Sequence, residues 1–391
     1  MATGLTSGKF FPRRPHFSVE APKTLPTSAL RRAVADRGKR LRSALRDRRG
    51  DALLVTDPVE VAYLSGFTGE DSWLVVGKGK GWLITDGRFV QESERDCPDF
   101  AVTIRRGSRV EALAKVLRRK RVRRLAYDPA KVSAALLGRL RRGLDGVSLT
   151  RAAGVVSDLR MRKDRLEQRA VRRAVRTAEE AWRAFRRRIR PGMTERDLAV
   201  ELEHRMRLAG ADGRAFPTIA AIDADAARPH AQPGRRTLKS GSVLLVDFGA
   251  RVAGYVSDLT RVLFVDRISP CALAVYETVR RAQAAGIAAV GPDARLTDVD
   301  AAARAVIEEA GYGEQFGHGL GHGIGREVHE MPRLAPRSVR GRLEPGMIVT
   351  VEPGIYLRGR FGIRLEDDVL VTERGRSVLS RLPTEPDEVI V

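Results

Sequence analysis

The sequence predicts two domains, an α/β domain and then a larger α/β to α+β domain built on a largely antiparallel sheet. Three observations lead there. The chain has 391 residues, enough for more than one unit at roughly 100–200 residues per domain. Short apolar runs alternate with helical stretches up to about residue 150, the pattern of an α/β unit. Beyond residue 190, strand-like runs follow one another across short turns, with helices set between the groups.

The opening residues, 1–28, are Pro-rich and lack periodicity, so they are expected to form a flexible tail. From Ala29 to Arg48 apolar residues recur at helical spacing through Leu30, Val34, Leu41 and Leu45. The runs Ala52–Thr56, Trp73–Gly77, Trp82–Thr85 and Ala101–Ile104 read as strands, bounded by Gly- and Asp-rich turns. Helices are expected at Val110–Arg119 and Ala134–Gly143, which completes a first domain over 29–155. The second domain, 160–391, opens with an arginine-laced helix from about Lys163 to Arg190, stopped by Pro191-Gly192. Thr194–Leu208 is the next helix, with Glu195 and Asp197 in its first turn. Strands Val243–Phe248 and Val256–Val265 face each other across a turn containing Gly249 and Gly254. Helices at Pro270–Val290 and Thr297–Ala310 precede three further strands, Met347–Glu352, Ile363–Thr372 and Ser377–Ser380.

Composition narrows the function. The net charge is +22, from 71 Lys+Arg against 49 Asp+Glu. The excess is local: residues 31–50 carry +7, 101–150 carry +11 and 151–190 carry +9, whereas 51–100 carry −6 and 191–391 carry −2. Only 10 of the basic groups are lysines, so the arginine excess reads as coding bias as much as selection for phosphate. A basic face attracts polyanions at low salt whatever its purpose. Specific nucleic-acid binding is not expected, and aromatics at 5% are too sparse for a surface that stacks single-stranded bases. No apolar run approaches the ~18–20 residues that span a bilayer, and no secretory leader is visible. Cys97 and Cys271 form no spaced pair. A soluble cytoplasmic protein is expected.

The chemistry concentrates in the second domain. Four of the six histidines, His230, His318, His322 and His329, fall within one hundred residues. Residues 316–330 read FGHGLGHGIGREVHE, and each glycine costs ~1 kcal/mol relative to alanine in a helix interior. His318 and His322 are therefore not a helical i,i+4 pair; the glycines suit a strand edge passing close to a ligand. Asp247, Asp258, Glu352 and Glu366 each interrupt or flank an apolar strand. Buried carboxylates cost several kcal/mol unless paired or metal-bound, so four of them beside a histidine point to a shared cation. One imidazole and several carboxylates suit Mn²⁺, Co²⁺, Fe²⁺ or Zn²⁺. Five potential ligands are more than one ion usually takes, which makes two ions the expectation, as in dinuclear hydrolases.

The ordered set Asp247, Asp258, His322, Glu352 and Glu366 sits in the words VDFGA, SDLTR, HGLGHGIG, VEPGIY and GIRLEDD. It resembles the dinuclear site of the pita-bread metallopeptidases of family M24, in the aminopeptidase P and prolidase branch. The likeness is strong over 160–391 and looser in front, through Phe67–Gly69 and Leu83–Phe89. It implies a creatinase-like N-terminal α/β domain followed by a pita-bread catalytic domain with a curved, largely antiparallel sheet. It also implies that Asp247 chelates one ion, His322 and Glu352 bind mainly the other, and Asp258 and Glu366 bridge. The ions, foremost Mn²⁺, would turn water into hydroxide near neutrality, with Glu352 moving its proton. His230 and His329 match histidines that face the peptide, while His318, Tyr356 and Arg364 fit supporting positions near the carboxylates.

Creatinase shares the layout but lacks the ligand set, and methionine aminopeptidases usually lack the front domain. The resemblance therefore implies short peptides with proline at the second position as substrates, and a homodimer or higher homo-oligomer. The alternative from another class is a non-enzymatic pita-bread protein that uses its basic N-terminal half for nucleic acid or protein partners. The complete ligand set opposes it.

Overall fold

The computed structural model describes residues 27–47, 50–338 and 341–391. The expected tail lies outside them except for residues 27 and 28, which instead open the first helix. Along the first domain run α1 (Thr27–Asp47), β1 (Ala52–Val55), α2 (Pro58–Ser65), β2 (Trp73–Gly77), β3 (Trp82–Asp86) and α3 (Val90–Asp96). They are followed by β4 (Ala101–Arg105), α4 (Arg109–Lys120), β5 (Arg124–Tyr127), α5 (Ala134–Gly143), β6 (Ser148–Arg151) and α6 (Val155–Met161). The strands form one sheet in the order β4-β3-β2-β1-β5-β6. Its two faces bury alternate residues of the same strands: Leu53 and Val55 on one side, Ala52 and Leu54 on the other. Helices cover both faces, which is why these strands read as continuous apolar runs. Strands β5 and β6 escape the sequence reading because they are only four residues long and begin with Arg124 and Ser148.

Next come α7 (Arg165–Arg186), α8 (Glu195–Leu208), β7 (Gly213–Arg214), β8 (Ile219–Ile222), β9 (Val243–Phe248), β10 (Ala250–Val252), β11 (Tyr255–Val256) and β12 (Leu259–Phe264). The chain ends with α9 (Pro270–Ala289), α10 (Leu296–Glu309), β13 (Gly321–Gly323), β14 (Glu330–Leu334), β15 (Ile348–Val351), β16 (Gly354–Leu357), β17 (Phe361–Arg364), β18 (Asp367–Thr372) and β19 (Gly375–Val378). Helix α7 starts at a capping box in which Asp164 and Glu167 satisfy each other's backbone N–H groups. It is shorter than its arginine pattern suggests, because the chain turns at Arg186–Ile189, ahead of Pro191. Its apolar face, including Val171, Val175, Ala178 and Trp182, is buried, and Arg169, Arg176 and Arg183 face solvent. The arginine lacing is thus a solvated face.

Every strand pairing of this second part is antiparallel. The sheets run β12-β9-β8, β11-β10-β7, β14-β13-β15-β18-β19 and β16-β17. Two predicted strands are each broken. The run Val256–Val265 splits at Ser257-Asp258, where residues 250–256 fold back as their own hairpin. The run Ile363–Thr372 splits at Leu365-Glu366, so that β17 pairs with β16 while β18 pairs with β15. At that break the Glu366 N–H donates to the Thr260 carbonyl, stitching the chain between β17 and β18 onto β12. Both breaks fall on predicted ligands.

Candidate active site

Five elements bring the carboxylates and histidines to one cavity of about 590 Å³. Asp247 sits on β9 opposite Thr260 of β12. Asp258, immediately before β12, lines the same cavity as Asp247. His322 is the middle residue of β13, between Gly321 and Gly323. A Cβ on Gly321 would overlap the Thr350 carbonyl, so glycine is what lets β13 lie against β15. Glu352 follows β15, and Glu366 occupies the break between β17 and β18.

Ligand atoms of Asp258, His322 and Glu366 all lie within 4.8 Å of one another. His322 Nε2 is 3.3 Å from Glu352 Oε1 and 3.7 Å from Asp258 Oδ2. Asp247 Oδ2 accepts from Arg364 Nη2 at 2.6 Å, while its Oδ1 is buried with no partner. From Arg364 a chain runs outward: Nη1 donates to the Tyr356 hydroxyl (2.8 Å), which bonds His318 Nε2 (2.9 Å). Arg364 Nη1 also reaches the Pro229 carbonyl (3.4 Å), next to His230. His230 and His329 line the cavity from exposed loops, and the His329 ring stands 4.4 Å from that of His322.

The electrostatics ask for a cation. Burial, reinforced by neighbouring carboxylates, pushes Asp258 and Glu366 well above the usual carboxylate range. Burial also raises Asp247 despite Arg364. Burial opposes ionisation of Glu352 too, but the hydrogen bond and charge of His322 outweigh it and hold Glu352 at about 2. His318 is lowered by burial, and His329 by burial and then by the charge of His322. Four acids thus face one guanidinium and one imidazole in a desolvated place, with the Asp247 Oδ1 orphaned. This oxygen-rich donor set with one nitrogen fits divalent metal of the Mn²⁺ to Zn²⁺ type.

Three residues that hold these acids and His322 in place were missed in the sequence. Thr260 Oγ1 donates to Glu366 Oε2 (2.6 Å) and accepts from Arg364 Nε (3.2 Å). Thr350 Oγ1 accepts from the His322 N–H (3.1 Å) and donates to Glu352 Oε1 (3.2 Å). Asp368 Oδ2 accepts from the Asp258 N–H (3.2 Å), and burial pushes its carboxyl up to about 8.

Antiparallel sheets that gather buried acids and a histidine at one open cavity suit a metal-dependent hydrolase. Residues 169–373 match metallopeptidase family M24, and residues 37–162 match the creatinase/prolidase N-terminal domain. The chain belongs to metallopeptidase family M24, with the pita-bread fold behind a creatinase-like domain. It is 30% identical to a Xaa-Pro dipeptidase of Pyrococcus furiosus over 86% of this chain and 94% of that protein. Its structure is similar to a Xaa-Pro dipeptidase from Bacillus anthracis, with TM-score 0.88 and 33% identity over 92% of this chain and all of that one. It is also similar to an X-Pro aminopeptidase from Thermotoga maritima, with TM-score 0.83 and 34% identity over 88% and 99% of the two chains.

Proposed function

We propose that this protein hydrolyses the peptide bond between an N-terminal residue and a following proline, using two divalent metal ions, foremost Mn²⁺. The observation that carries the reading is the convergence of Asp247, Asp258, His322, Glu352 and Glu366 on one cavity behind a creatinase-like domain. The names of the relatives support the substrate class. Asp247 would hold one ion, His322 and Glu352 the other, and Asp258 and Glu366 both. Bound there, the ions supply Lewis acidity and make water a nucleophile at neutral pH. Glu352 receives the proton of the attacking water and returns it to the departing proline nitrogen. His230 and His329, on the cavity walls, hydrogen-bond the scissile carbonyl and the tetrahedral species it becomes. Arg364 fixes the Asp247 carboxylate, and Tyr356 and His318 fix Arg364. Proline offers no N–H and a fixed φ, and the wall of Phe216, Pro217, Ile219, Val328 and Leu334 gives its ring an apolar seat. The active form is a homodimer or higher homo-oligomer.

The test is hydrolysis of Ala-Pro and Ala-Pro-Ala by metal-stripped protein, with and without Mn²⁺, Co²⁺ or Zn²⁺. Metal-dependent release of alanine from the tripeptide marks an aminopeptidase, and cleavage of the dipeptide alone a dipeptidase. Absence of both with metal bound would remove this reading. The non-enzymatic alternative has no support from the relatives compared above, which are peptidases. Among the described residues no helix is long and apolar enough to cross a membrane.

A further inference from the structure

The loop between β13 and β14 carries Val328 and His329 into the cavity. Its shape is set by one carboxylate. Glu330 Oε1 accepts from the backbone N–H groups of Arg326 (2.8 Å) and Glu327 (3.1 Å). A Cβ on Gly325 would lie 2.8 Å from Glu330 Oε2 and 2.9 Å from the Lys163 side chain, so the loop is wrapped tightly around this group. Two cations from outside the loop hold the carboxylate. Arg160 of α6 donates from one terminal nitrogen to Glu330 Oε1 and to Glu327 Oε2, each at 2.6 Å. Lys163 donates to Glu330 Oε2 at 3.1 Å. The network runs further into the first domain, where Lys131 lies 4.0 Å from Glu327 and 3.1 Å from Asp57. Arg160 is itself 3% exposed, and its helix is anchored by the Gly154 N–H donating to Asp128 (3.0 Å).

We propose that Arg160 is a positioning residue for His329, acting by clamping the 325–330 loop through Glu330 and Glu327. It contacts neither the cavity nor the metal ligands. Charge-assisted hydrogen bonds in a desolvated place are about twice as strong as neutral ones, and removing Arg160 leaves two carboxylates short of a partner. The loop then opens to hydrate them and takes the His329 ring from its place beside His322. Misplacing a group that meets the substrate by about 1 Å costs roughly 10²-fold in rate. Through this clamp the first domain shapes the catalytic wall without entering the cavity. The inference rests on the reading of His329 as a group that meets substrate.

The experiment is a double-mutant cycle on the metal-loaded full chain with Ala-Pro-Ala or Ala-Pro, whichever is cleaved. Arg160→Met should lower kcat about 10- to 100-fold with KM changed less than about threefold and bound metal per chain unchanged. The double variant with His329→Ala should be no slower than His329→Ala alone, and Arg160→Lys should recover part of kcat. Losses that multiply in the double variant, or Arg160→Met within about twofold of wild type, overturn the inference. Should Arg160→Met not fold, Glu327→Gln at the half-exposed end of the clamp gives the same cycle on a smaller scale, and its multiplying with His329→Ala is equally fatal. A second readout is independent of activity. In the Zn²⁺-loaded protein the His329 ring resonance, identified by its loss in His329→Ala, should shift in Arg160→Met while that of His204 stays. An unmoved resonance refutes the clamp. If wild type cleaves neither peptide, the proposed function has failed and the resonance alone decides the clamp. If His329→Ala leaves kcat intact, the role of His329 has failed and the inference falls with it.

Discussion

Asp258→Asn should make the metal-free protein more stable and the metal-loaded protein inactive. The ligand atoms of Asp258 and Glu366 lie within 4.8 Å of each other, and two like unit charges at that separation repel by about 3 kcal/mol at an effective dielectric of about 20. Asp247 and Glu352 add to the crowding, while Arg364 and His322 offset it. Exchanging one oxygen of Asp258 for an amide removes the pair repulsion at nearly constant volume, so the metal-stripped variant should gain about 1–3 kcal/mol at pH 7.5. The pH dependence has a definite sign. Asp258 and Glu366 are both raised above their unfolded values, so the stability they contribute is complete below about pH 4 and lost as pH rises. The advantage of the variant should therefore shrink towards pH 4. With metal the order reverses: wild type gains about 2.7 kcal/mol at 100 times Kd, whereas the variant loses at least one ion and its activity. Urea midpoints with and without Mn²⁺, metal content and kcat read all three effects. A metal-stripped variant less stable than wild type, or one that responds fully to metal, would refute the charge-crowding argument.

Other perturbations separate catalysis from architecture. His230→Ala should cut kcat by about 10²–10⁴ if it aids proton transfer or stabilises the intermediate; a change confined to KM would make it a binding residue. Arg37→Met, at a site 2% exposed where the guanidinium meets Asp164 (2.8 Å), Glu167 (3.6 Å) and the Tyr63 ring (4.3 Å), should destabilise by roughly 3–5 kcal/mol in thermal unfolding. Glu330 is opposed by burial but held at about 2 by Lys163 and Arg160, against an ordinary 4.5. That depression contributes about 3 kcal/mol of stability, present above about pH 4.5 and lost as pH falls towards 2. In Glu330→Gln the acid limb of the stability curve should flatten accordingly, and an unchanged limb would place the ion pair outside the folding equilibrium.

Much of the first domain was legible because its strands are buried on both faces and bounded by turn residues. The runs from Ala52, Trp73, Trp82 and Ala101 begin where the strands do. In the second domain the sequence picked out the acids and histidines that meet at one cavity, and was less clear about the strands. Ile363–Thr372 is a continuous apolar and charged run, and nothing local announces that it changes sheets at Leu365-Glu366. The change is made by partners distant in sequence, the carbonyls of Pro353 and Thr260, which take the N–H groups of Leu365 and Glu366. Strand β14, with its partly exposed sequence Glu330–Leu334, and the short β8 and β16 were invisible for the same reason: tertiary pairing supplies what four or five residues cannot signal alone.

The residues that brace the cavity's acids and His322 did leave a signal of period two. Thr260 lies two positions after Asp258, Thr350 two before Glu352, and Asp368 two after Glu366. On a strand such pairs share a face, and here a polar residue stands two positions from three of the four acids, in an otherwise apolar wall. Thr350 and Asp368 also stand opposite each other across β15 and β18, and Thr260 stands opposite Asp247. A buried threonine or aspartate at that spacing has no reason to be in a sheet core unless something on the same face needs its hydrogen bond. The acids suit a metal by their chemistry, and the polar residues two positions away bond them within a strand or across the break: Thr350 its own Glu352, Thr260 the distant Glu366, and Asp368 the distant Asp258. The Arg160 clamp follows no such rule: its partners Glu327 and Glu330 lie 167 and 170 residues away, so only the folded chain brings it to the loop that carries His329.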